Sequence, residues 1–262
     1  MKVVFFCGGL GTRLKSYSDT LPKPMVNIGD RPILWHLMRY YAHFGHTDFI
    51  LCLGYGGEAI RSYFTETNGF GSALAGTNGA NGANARASND HDERHWRVTC
   101  VETGAAASIG ERLKAVQGYV AGEEIFLANY SDGLCDVDLD TYLEYFVKQG
   151  KAAAFVCVRP HHSFHIVELG DGGSVREVRP ASTSNVRING GFFAFRQSIF
   201  DHLEAGEDLV EAAFPRLIAA DQLVAFPYDG FWHCMDTFKD KQAFDGMTAR
   251  GECPWKVWEP RK

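Results

Sequence analysis

A short apolar run near the start of the chain leads directly into a glycine-dense turn, and this junction constrains the fold strongly. Val3 to Cys7 has the composition of a buried strand. The turn that follows it without a linker is Gly8-Gly9-Leu10-Gly11-Thr12-Arg13. Glycines at the carboxyl end of a first strand let backbone N–H groups approach phosphate oxygens closely. The junction therefore predicts an α/β protein with a phosphate-binding turn at one edge of its sheet.

Two familiar phosphate-binding motifs do not match this turn. The dinucleotide-binding fingerprint requires a third glycine where Leu14 stands. The P-loop requires Gly-Lys-Ser/Thr where this chain has Thr12-Arg13. A plain strand-to-helix turn would not need an arginine directly after its glycines, so the pattern favours a phosphate-binding turn of another kind.

Further along the chain, strand-like apolar runs alternate with segments that have apolar residues at helical spacing. This βαβα order predicts a doubly wound, mostly parallel, Rossmann-like sheet covered by helices on both faces. The predicted strands are 48–53, 96–101, 125–128 and 152–158, and the predicted helices are 33–41, 58–64, 112–120 and 139–148, the last ended by Gly150.

The pattern changes after Arg159. Phe164 to Leu169 and Val175 to Val178 are separated by a Gly-rich turn and predict an antiparallel ribbon. Gly190 to Phe195 predicts a further strand, and a helix is expected near 198–203.

We expect one domain over residues 1–262, whose sequence pattern divides it into two halves, 1–158 and 159–262. The segment 68–89 is almost entirely Gly, Ala, Asn, Ser and Thr, which favours a flexible surface insert. An active-site flap or an oligomer-forming segment is the alternative, because long loops in compact domains often act as lids.

Composition narrows the class of partner and the compartment. The formal net charge of −6 argues against a nucleic-acid partner or an anionic membrane, since both select for basic surfaces. No apolar run approaches the roughly 20 residues that span a bilayer, and the N-terminal run is too short for a signal-peptide core. Seven scattered cysteines without a C-x-x-C pair suit a reducing compartment, so we expect a cytoplasmic protein without structural disulfides.

One lysine stands between two prolines in Leu21-Pro22-Lys23-Pro24-Met25. Because proline fixes φ, this loop is stiff and Lys23 is held in place. A single lysine is usually a solvated surface charge, but this setting favours a functional role.

The glycine turn and this lysine together resemble the sugar-1-phosphate nucleotidylyltransferases. Further segments resemble the glucose-1-phosphate cytidylyltransferase branch of that family, from the first residues to nearly the last. These segments are Arg31-Pro32-Ile33-Leu34-Trp35-His36, Gly54-Tyr55, Trp96-Arg97-Val98-Thr99, Glu102-Thr103-Gly104, Gly110-Glu111-Arg112-Leu113, Ser131-Asp132-Gly133, Asn189-Gly190-Gly191-Phe192-Phe193, Gly230-Phe231-Trp232, Met235-Asp236-Thr237 and Pro254-Trp255-Lys256-Val257-Trp258-Glu259.

The resemblance implies a reaction in which a substrate phosphate oxygen attacks the α-phosphorus of a nucleoside triphosphate and pyrophosphate leaves. The protein then contributes positioning and cationic stabilisation. The resemblance implies that Arg13 contacts the departing β- and γ-phosphates, and that Lys23 bridges the incoming phosphate and the α-phosphate. With Asp132, these two are the expected catalytic residues. The resemblance also implies that the half 1–158 binds the nucleotide and the half 159–262 binds the acceptor. The remaining expected contacts are Gly8, Gly9, Leu10, Gly11, Thr12, Thr103, Gly104, Arg112 and Ser131 for the nucleotide, and Arg179, Asn189, Gly190 and Trp232 for the acceptor.

Asp132 and Asp236 occupy the family's two magnesium positions. The residues themselves agree for Asp132, because Ser131-Asp132-Gly133 ends the fourth predicted strand, where ligands bind in open α/β sheets. Mg²⁺ typically takes one or two carboxylates together with substrate phosphates. The cofactor expected from the resemblance is therefore Mg²⁺.

The chain departs from the family where the sugar is expected to bind. A Glu-Lys-Pro triplet of the family is replaced by Val178-Arg179-Pro180, and the glycine of an Arg-Phe-Gly stretch is replaced by His165. Arg179 can still hold a phosphate, but Val178 accepts no hydrogen bond from a hydroxyl. The acceptor is therefore open between glucose 1-phosphate, another sugar phosphate and a non-sugar phosphorylated or phosphonylated compound. The family's Tyr-Gly-Asp stretch also reads Tyr130-Ser131-Asp132 here.

Four further points concern the donor, the activity, the oligomeric state and a histidine cluster. CTP as donor follows from the branch resemblance, and UTP or dTTP is the alternative because Ala105-Ala106-Ala107 replaces more polar family residues. An inactive nucleotide-sensing module would predict loss of a catalytic arginine, lysine or aspartate, and all are present. A homo-oligomer is expected only by resemblance. The cluster His161-His162-x-x-His165 lacks cysteine or carboxylate partners, which argues against a metal site there.

Overall fold

The computed structural model describes residues 1–9, 21–67, 95–160 and 164–260. The predictions for residues 10–13, for the insert 68–89 and for His161 and His162 concern residues outside these ranges. The described strands and helices, in chain order, are β1 (Lys2–Phe6), β2 (Asn27–Ile28), β3 (Arg31–Pro32), α1 (Ile33–His43), β4 (Asp48–Leu53), α2 (Gly57–Thr67), β5 (Arg97–Glu102), α3 (Ile109–Ala115), α4 (Gln117–Val120), β6 (Ile125–Tyr130), β7 (Gly133–Cys135), α5 (Leu139–Gln149), β8 (Ala153–Val158), β9 (His165–Leu169), β10 (Val175–Pro180), β11 (Ile188–Asn189), β12 (Phe193–Arg196), α6 (Phe214–Ala219), β13 (Leu223–Tyr228), β14 (Trp232–Cys234) and α7 (Phe238–Arg250).

Eight of the described strands form the central sheet. The strands β6, β1, β4 and β5 lie side by side in that order and are mutually parallel. The antiparallel strand β12 lies between β6 and β8, and β8 also pairs with the short β11 and, in parallel, with β13. This mostly parallel sheet confirms the predicted fold class.

Strand β1 is buried on both faces, which explains its continuous apolar run. Val3 and Phe5 belong to one apolar cluster, which includes residues of α1. Val4 and Phe6 belong to a second cluster, which includes Leu113 of α3. Helices therefore cover both faces of the sheet, as the βαβα order predicted.

Local sequence sets the ends of several helices. Helix α3 begins at Ile109, before the predicted start at 112, because Ser108 and Glu111 form a capping box. Its two bonds run from Glu111 N to Ser108 Oγ (3.2 Å) and from Ser108 N to Glu111 Oε2 (2.7 Å). Helix α5 ends at Gly150, whose φ of +64° is a left-handed conformation that favours glycine, as predicted.

The parallel strands bring several chain segments to one edge of the sheet. The carboxyl ends of β1, β4, β5 and β6 lead into residues 7–9, 54, 103–104 and 131–132 at that edge. The small antiparallel pair of β7 and β14 lies next to it. Met235 N donates to Asp132 O at 2.8 Å, so the segments after β6 and β14 are bonded directly.

The predicted ribbon is a separate two-stranded sheet of β9 and β10. Every residue of β10 is exposed, and Val178, which is 56% exposed, pairs with Val167. All seven cysteines are free thiols. No helix in the described part of the chain has the length and apolar composition needed to cross a bilayer.

Candidate active site

A cleft of about 520 Å³ opens at the carboxyl edge of the parallel strands. Its described walls are built by the start of the glycine turn, the short 3-10 helix Lys23–Met25, the loop before α3 and the segments after β6 and β14. Ligands of open α/β sheets bind at this edge. The predicted site residues among its lining are Gly8, Gly9, Lys23, Arg112, Ser131, Asp132 and Asp236.

Three charged side chains, remote in sequence, meet in this cleft. Lys23 Nζ donates to Asp132 Oδ2 and to Asp236 Oδ1, each at 2.6 Å. The side chains are 14%, 27% and 29% exposed, respectively, so water reaches both carboxylates. One cation therefore already bridges the two aspartates that the resemblance associates with magnesium.

The surrounding backbone fixes each member of this group. Lys23 begins the 3-10 helix between Pro22 and Pro24, as the stiff loop predicted. Asp132 follows β6, Asp236 follows β14, and the hydrogen bond from Met235 N to Asp132 O holds their main chains together.

The electrostatics keep Lys23 charged. Burial alone would lower the pKa of Lys23, but the charges and hydrogen bonds of Asp132 and Asp236 outweigh it and raise the pKa above its ordinary value. Burial, followed by the charges of the same aspartates, raises the pKa of the Cys234 thiol. The protonated thiol lies 3.4 Å from Asp236 Oδ2, to which it donates.

Arg112 connects three strands from beneath the glycine turn. It is 2% exposed, and its guanidinium donates to Gly8 O (3.0 Å), Leu53 O (3.2 Å) and Thr103 Oγ1 (2.6 Å). Burial lowers the pKa of Arg112, although the group stays cationic at any ordinary pH. Arg112 lines the cleft, and it also fixes the ends of β1, β4 and β5 relative to one another.

Glycines surround this guanidinium because there is no room for side chains. A Cβ on Gly8 would overlap Arg112 Nη1, Nη2 and Cζ. A Cβ on Gly54 would lie 2.9 Å from Arg112 Nη1 and from Gly8 Cα. Gly104 has a φ of +98°, a left-handed conformation that favours glycine. Part of the glycine pattern is therefore explained by packing around Arg112 as well as by access for a phosphate.

The contacts of Ser131 explain the serine in Tyr130-Ser131-Asp132, where the family has glycine. The Ser131 hydroxyl donates to Phe6 O at 2.9 Å and is nearly buried, so it bonds the end of β6 to the end of β1. Thr103 has a similar position directly after β5, because its hydroxyl donates to Leu53 O at 2.8 Å and accepts from Arg112. Both residues predicted to bind nucleotide thus use their hydroxyl groups within the protein.

Asn189 is an expected acceptor residue that lies close to the cleft. Asn189 lines a second hollow of about 600 Å³, which shares Ser108, Ile109, Tyr130 and Asp208 with the first cleft. Its amide donates to Tyr130 OH at 3.3 Å and accepts from Gly191 N at 2.9 Å. Burial raises the pKa of Tyr130 to about 12, so the phenol is protonated.

Gly190 and Trp232 support the wall behind Asn189. Both are buried, and Trp232 Nε1 donates to Gly190 O at 2.8 Å. Arg179 lies on the ribbon, where it donates to Glu177 at 3.1 Å, and it does not line either hollow as described. Arg13 and Leu10 to Thr12 lie outside the described residues.

One residue that contributes to this region was not predicted from the sequence. Asp240 caps α7 together with Thr237, and its carboxylate accepts from Asp236 N at 3.1 Å. The spacing Thr-x-x-Asp is a capping-box signature that indicates this helix start. Gly54 lies in a segment that resembles the family, and the structure adds that a Cβ at this position would lie 2.9 Å from Arg112 Nη1.

A family comparison identifies the class of protein to which this fold and cleft belong. Residues 2–241 match the nucleotidyl transferase family, and the chain therefore belongs to it, as its motifs predicted.

Among known proteins, the chain is 36% identical over 262 residues to the glucose-1-phosphate cytidylyltransferase of Salmonella typhi, covering 99% of this chain and all of the relative. It is 32% identical over 260 residues to a protein of Bacillus subtilis (strain 168) named "Probable glucose-1-phosphate cytidylyltransferase", covering 98% and 100%. The crystal structure of apo UDP-glucose pyrophosphorylase superposes with a TM-score of 0.70 at 14% identity, covering 96% of this chain and 99% of that one. That structural likeness concerns the fold.

Proposed function

We propose that this protein transfers a cytidylyl group from CTP to a sugar 1-phosphate, with release of pyrophosphate and with Mg²⁺ as cofactor. The observation that carries the proposal is the convergence of Lys23, Asp132 and Asp236 in the cleft beside the glycine turn. The full-length similarity to the Salmonella typhi cytidylyltransferase supports CTP as donor and glucose 1-phosphate as the first acceptor to test.

The proposed chemistry is an in-line displacement. A phosphate oxygen of the acceptor forms a bond to the α-phosphorus of CTP, and the bond from that phosphorus to the β-phosphate oxygen breaks. Negative charge develops on the phosphoryl oxygens and on pyrophosphate. Lys23 would bind the two reacting phosphates, Arg13 would contact the departing phosphates, and the backbone of Gly8 and Gly9 would approach the triphosphate.

The carboxylate pair fits a divalent cation. Asp132 Oδ2 and Asp236 Oδ1 both lie 2.6 Å from one ammonium nitrogen, so their oxygens already converge on a single cationic point. In the described residues, no group of three or more His, Cys, Asp or Glu side chains could hold a metal. Two carboxylates completed by phosphates and water are what Mg²⁺ prefers. When bound, Mg²⁺ would neutralise triphosphate charge and orient the triphosphate.

The contacts of Ser131 and Arg112 give each a positioning role. Ser131 bonds to β1 and directly precedes Asp132, so it would hold that carboxylate at the sheet edge. Arg112 would keep the glycine turn and the loop from Thr103 to Ser108 at a fixed separation, and its charge would face the nucleotide from the cleft wall.

A screen for pyrophosphate release tests the proposal. CTP, UTP, dTTP and GTP are each combined with a panel of phosphorylated and phosphonylated acceptors, with Mg²⁺ or with EDTA. We expect turnover with CTP, a sugar 1-phosphate and Mg²⁺, and loss of turnover in EDTA and in Asp132→Ala. Absence of pyrophosphate release for every pair would overturn the proposal.

A second candidate acceptor class is favoured by Val178. This residue stands where the family's sugar-contacting glutamate is expected, and it lies exposed on the ribbon with no group to bond a hydroxyl. A sugar phosphate other than glucose 1-phosphate, or a non-sugar phosphorylated or phosphonylated compound, would not need that acceptor. Efficient turnover of glucose 1-phosphate alone in the screen would exclude this second class.

We also propose a cytoplasmic location and a homo-oligomeric state. Seven free thiols, as observed, are typical of proteins in a reducing compartment. Exposed apolar residues of the ribbon, such as Leu169 (62%) and Val175 (60%), support self-association. Cell fractionation tests the first proposal, and sedimentation analysis tests the second.

A further inference from the structure

Asp236 is held by more than its place after β14. Its main-chain N–H donates to Asp240 Oδ2 at 3.1 Å, four residues further along the chain. The same oxygen accepts from Thr237 N at 2.7 Å and from Thr237 Oγ1 at 2.8 Å. Asp240 is 7% exposed, so one nearly buried carboxylate oxygen collects three donors from the segment that carries Asp236.

Helix capping explains only part of this arrangement. A capping box consists of two hydrogen bonds. In one, the N-cap N–H donates to the N3 carboxylate, here Thr237 N to Asp240 Oδ2. In the other, Asp240 N donates to Thr237 Oγ1 at 3.3 Å. The bond to Asp236 N reaches one residue further. In the other described capping box, Glu111 Oε2 accepts from Ser108 N alone among the described bonds.

The second oxygen of the Asp240 carboxylate, Oδ1, also has a close neighbour. His233 Nε2, in the middle of the neighbouring β14, lies 3.6 Å from Asp240 Oδ1, and the His233 ring packs against Phe244 of α7. Asp240 therefore connects the strand before Asp236 with the helix after it. Rotation of its carboxylate would break contacts on both sides, which fixes the main chain of Asp236.

We propose that Asp240 is a positioning residue, which aims the Asp236 carboxylate at the point where Lys23 and Asp132 meet. The inference rests on the proposed function, because the alignment of Asp236 is important only where that carboxylate binds a cation with the nucleotide. Buried groups that orient the ligands of a metal typically change metal affinity by about 10- to 100-fold when they are removed.

The test compares Asp240 with a capping aspartate remote from the cleft. Asp138 caps α5 by accepting from Thr141 N at 2.8 Å, and it does not line the described cleft. The variants are Asp240→Ala, Asp240→Asn, which keeps a neutral acceptor oxygen, and Asp138→Ala. Each is assayed for the free energy of unfolding, for Mn²⁺ binding by electron paramagnetic resonance with CTP present, and for turnover across a range of Mg²⁺ concentrations.

We expect Asp240→Ala to weaken Mn²⁺ binding and to raise the Mg²⁺ concentration for half-maximal turnover, each by about tenfold. Asp240→Asn should lie between it and the wild type. Asp138→Ala should lose stability without a change in either cation measurement. Cation binding by Asp240→Ala and Asp240→Asn that matches that of Asp138→Ala would overturn the positioning role. A wild type that neither binds Mn²⁺ with CTP nor releases pyrophosphate would instead overturn the proposed function.

Discussion

The two neighbouring glycines of the turn should differ sharply in what they tolerate. A methyl group on Gly8 would overlap the Arg112 guanidinium, whereas an added Cβ on Gly9 meets no described atom within 4 Å. Gly9 is also exposed, and its φ is not in the left-handed region. Sequence pattern alone treats the two positions alike, so Gly8→Ala and Gly9→Ala form a matched pair.

The magnitude follows from the bonds of Arg112. Its guanidinium donates to Gly8 O, Leu53 O and Thr103 Oγ1 at 3.0, 3.2 and 2.6 Å. In Gly8→Ala the guanidinium must move, and hydrogen bonds to charged groups each contribute about 1.5–3 kcal/mol. Loss of two of them lowers the free energy of unfolding by about 3–6 kcal/mol.

Urea unfolding followed by circular dichroism measures this difference. Gly9→Ala should change the free energy of unfolding by no more than about 0.5 kcal/mol, apart from a small gain through the unfolded state. A double-mutant cycle with Arg112→Ala isolates the cause, because removal of the guanidinium should abolish most of the cost of Gly8→Ala. Equal stability of the two glycine variants, or an unchanged cost in the Arg112→Ala background, would refute the packing argument.

Three other predictions concern the core, Lys23 and the ribbon. Burial lowers the pKa of His36 to about 4 from 6.5, so the unfolded state binds more protons below pH 6.5 and stability falls as the pH drops towards 4. At pH 5 this should cost about 2 kcal/mol relative to pH 7.5, and urea unfolding of His36→Gln at both pH values should show a smaller loss than the wild type. Lys23→Met should lower kcat by about 100-fold or more in the pyrophosphate assay, and activity near wild type would exclude a catalytic role. Arg179→Met should leave stability within about 0.5 kcal/mol because the side chain is exposed, and it should raise the KM for the acceptor; an unchanged KM would remove Arg179 from the acceptor site.

Periodic, strongly apolar segments were predictable from the sequence, and segments with unusual backbone geometry were not. The strand 48–53 was predicted with the bounds that the structure shows. Strand β12 begins only at Phe193, because Gly191 and Phe192 have φ of +76° and +51° and interrupt the strand. Phe192 is held there by a bond from its N–H to Asn129 Oδ1 at 3.1 Å, a contact between distant segments.

Strand β13 and helix α7 were not predicted. Strand β13 contains Pro227, which argues against a central strand, and in the described sheet it pairs on one side only, with β8. Helix α7 has few apolar residues, so its periodicity is weak, although the Thr237–Asp240 capping box marks its start. The strand was therefore missed because of its proline, and the helix because a polar helix lacks the apolar pattern on which such predictions depend.

The grouping of Lys23, Asp132 and Asp236 could not be derived from local patterns. Their separations in sequence are 109 and 213 residues for the two bonds of Lys23, and only the tertiary fold brings them together. The family resemblance indicated the residues without indicating their contacts. The structure adds that Lys23 bonds to both aspartates, and that Arg112 bonds to neutral oxygens.

The positive charges of Lys23 and Arg112 are neutralised in different ways, and this difference supports the proposed divalent cation. Lys23 is paired with two carboxylates, whereas the hydrogen bonds of Arg112 to described residues all end on uncharged oxygens. With one charge each, Lys23 and Arg112 balance Asp132 and Asp236, so the four groups together are neutral. A triphosphate entering this cleft would bring several negative charges next to the two carboxylates. Additional positive charge is then needed beside those carboxylates, where a magnesium ion would have its ligands.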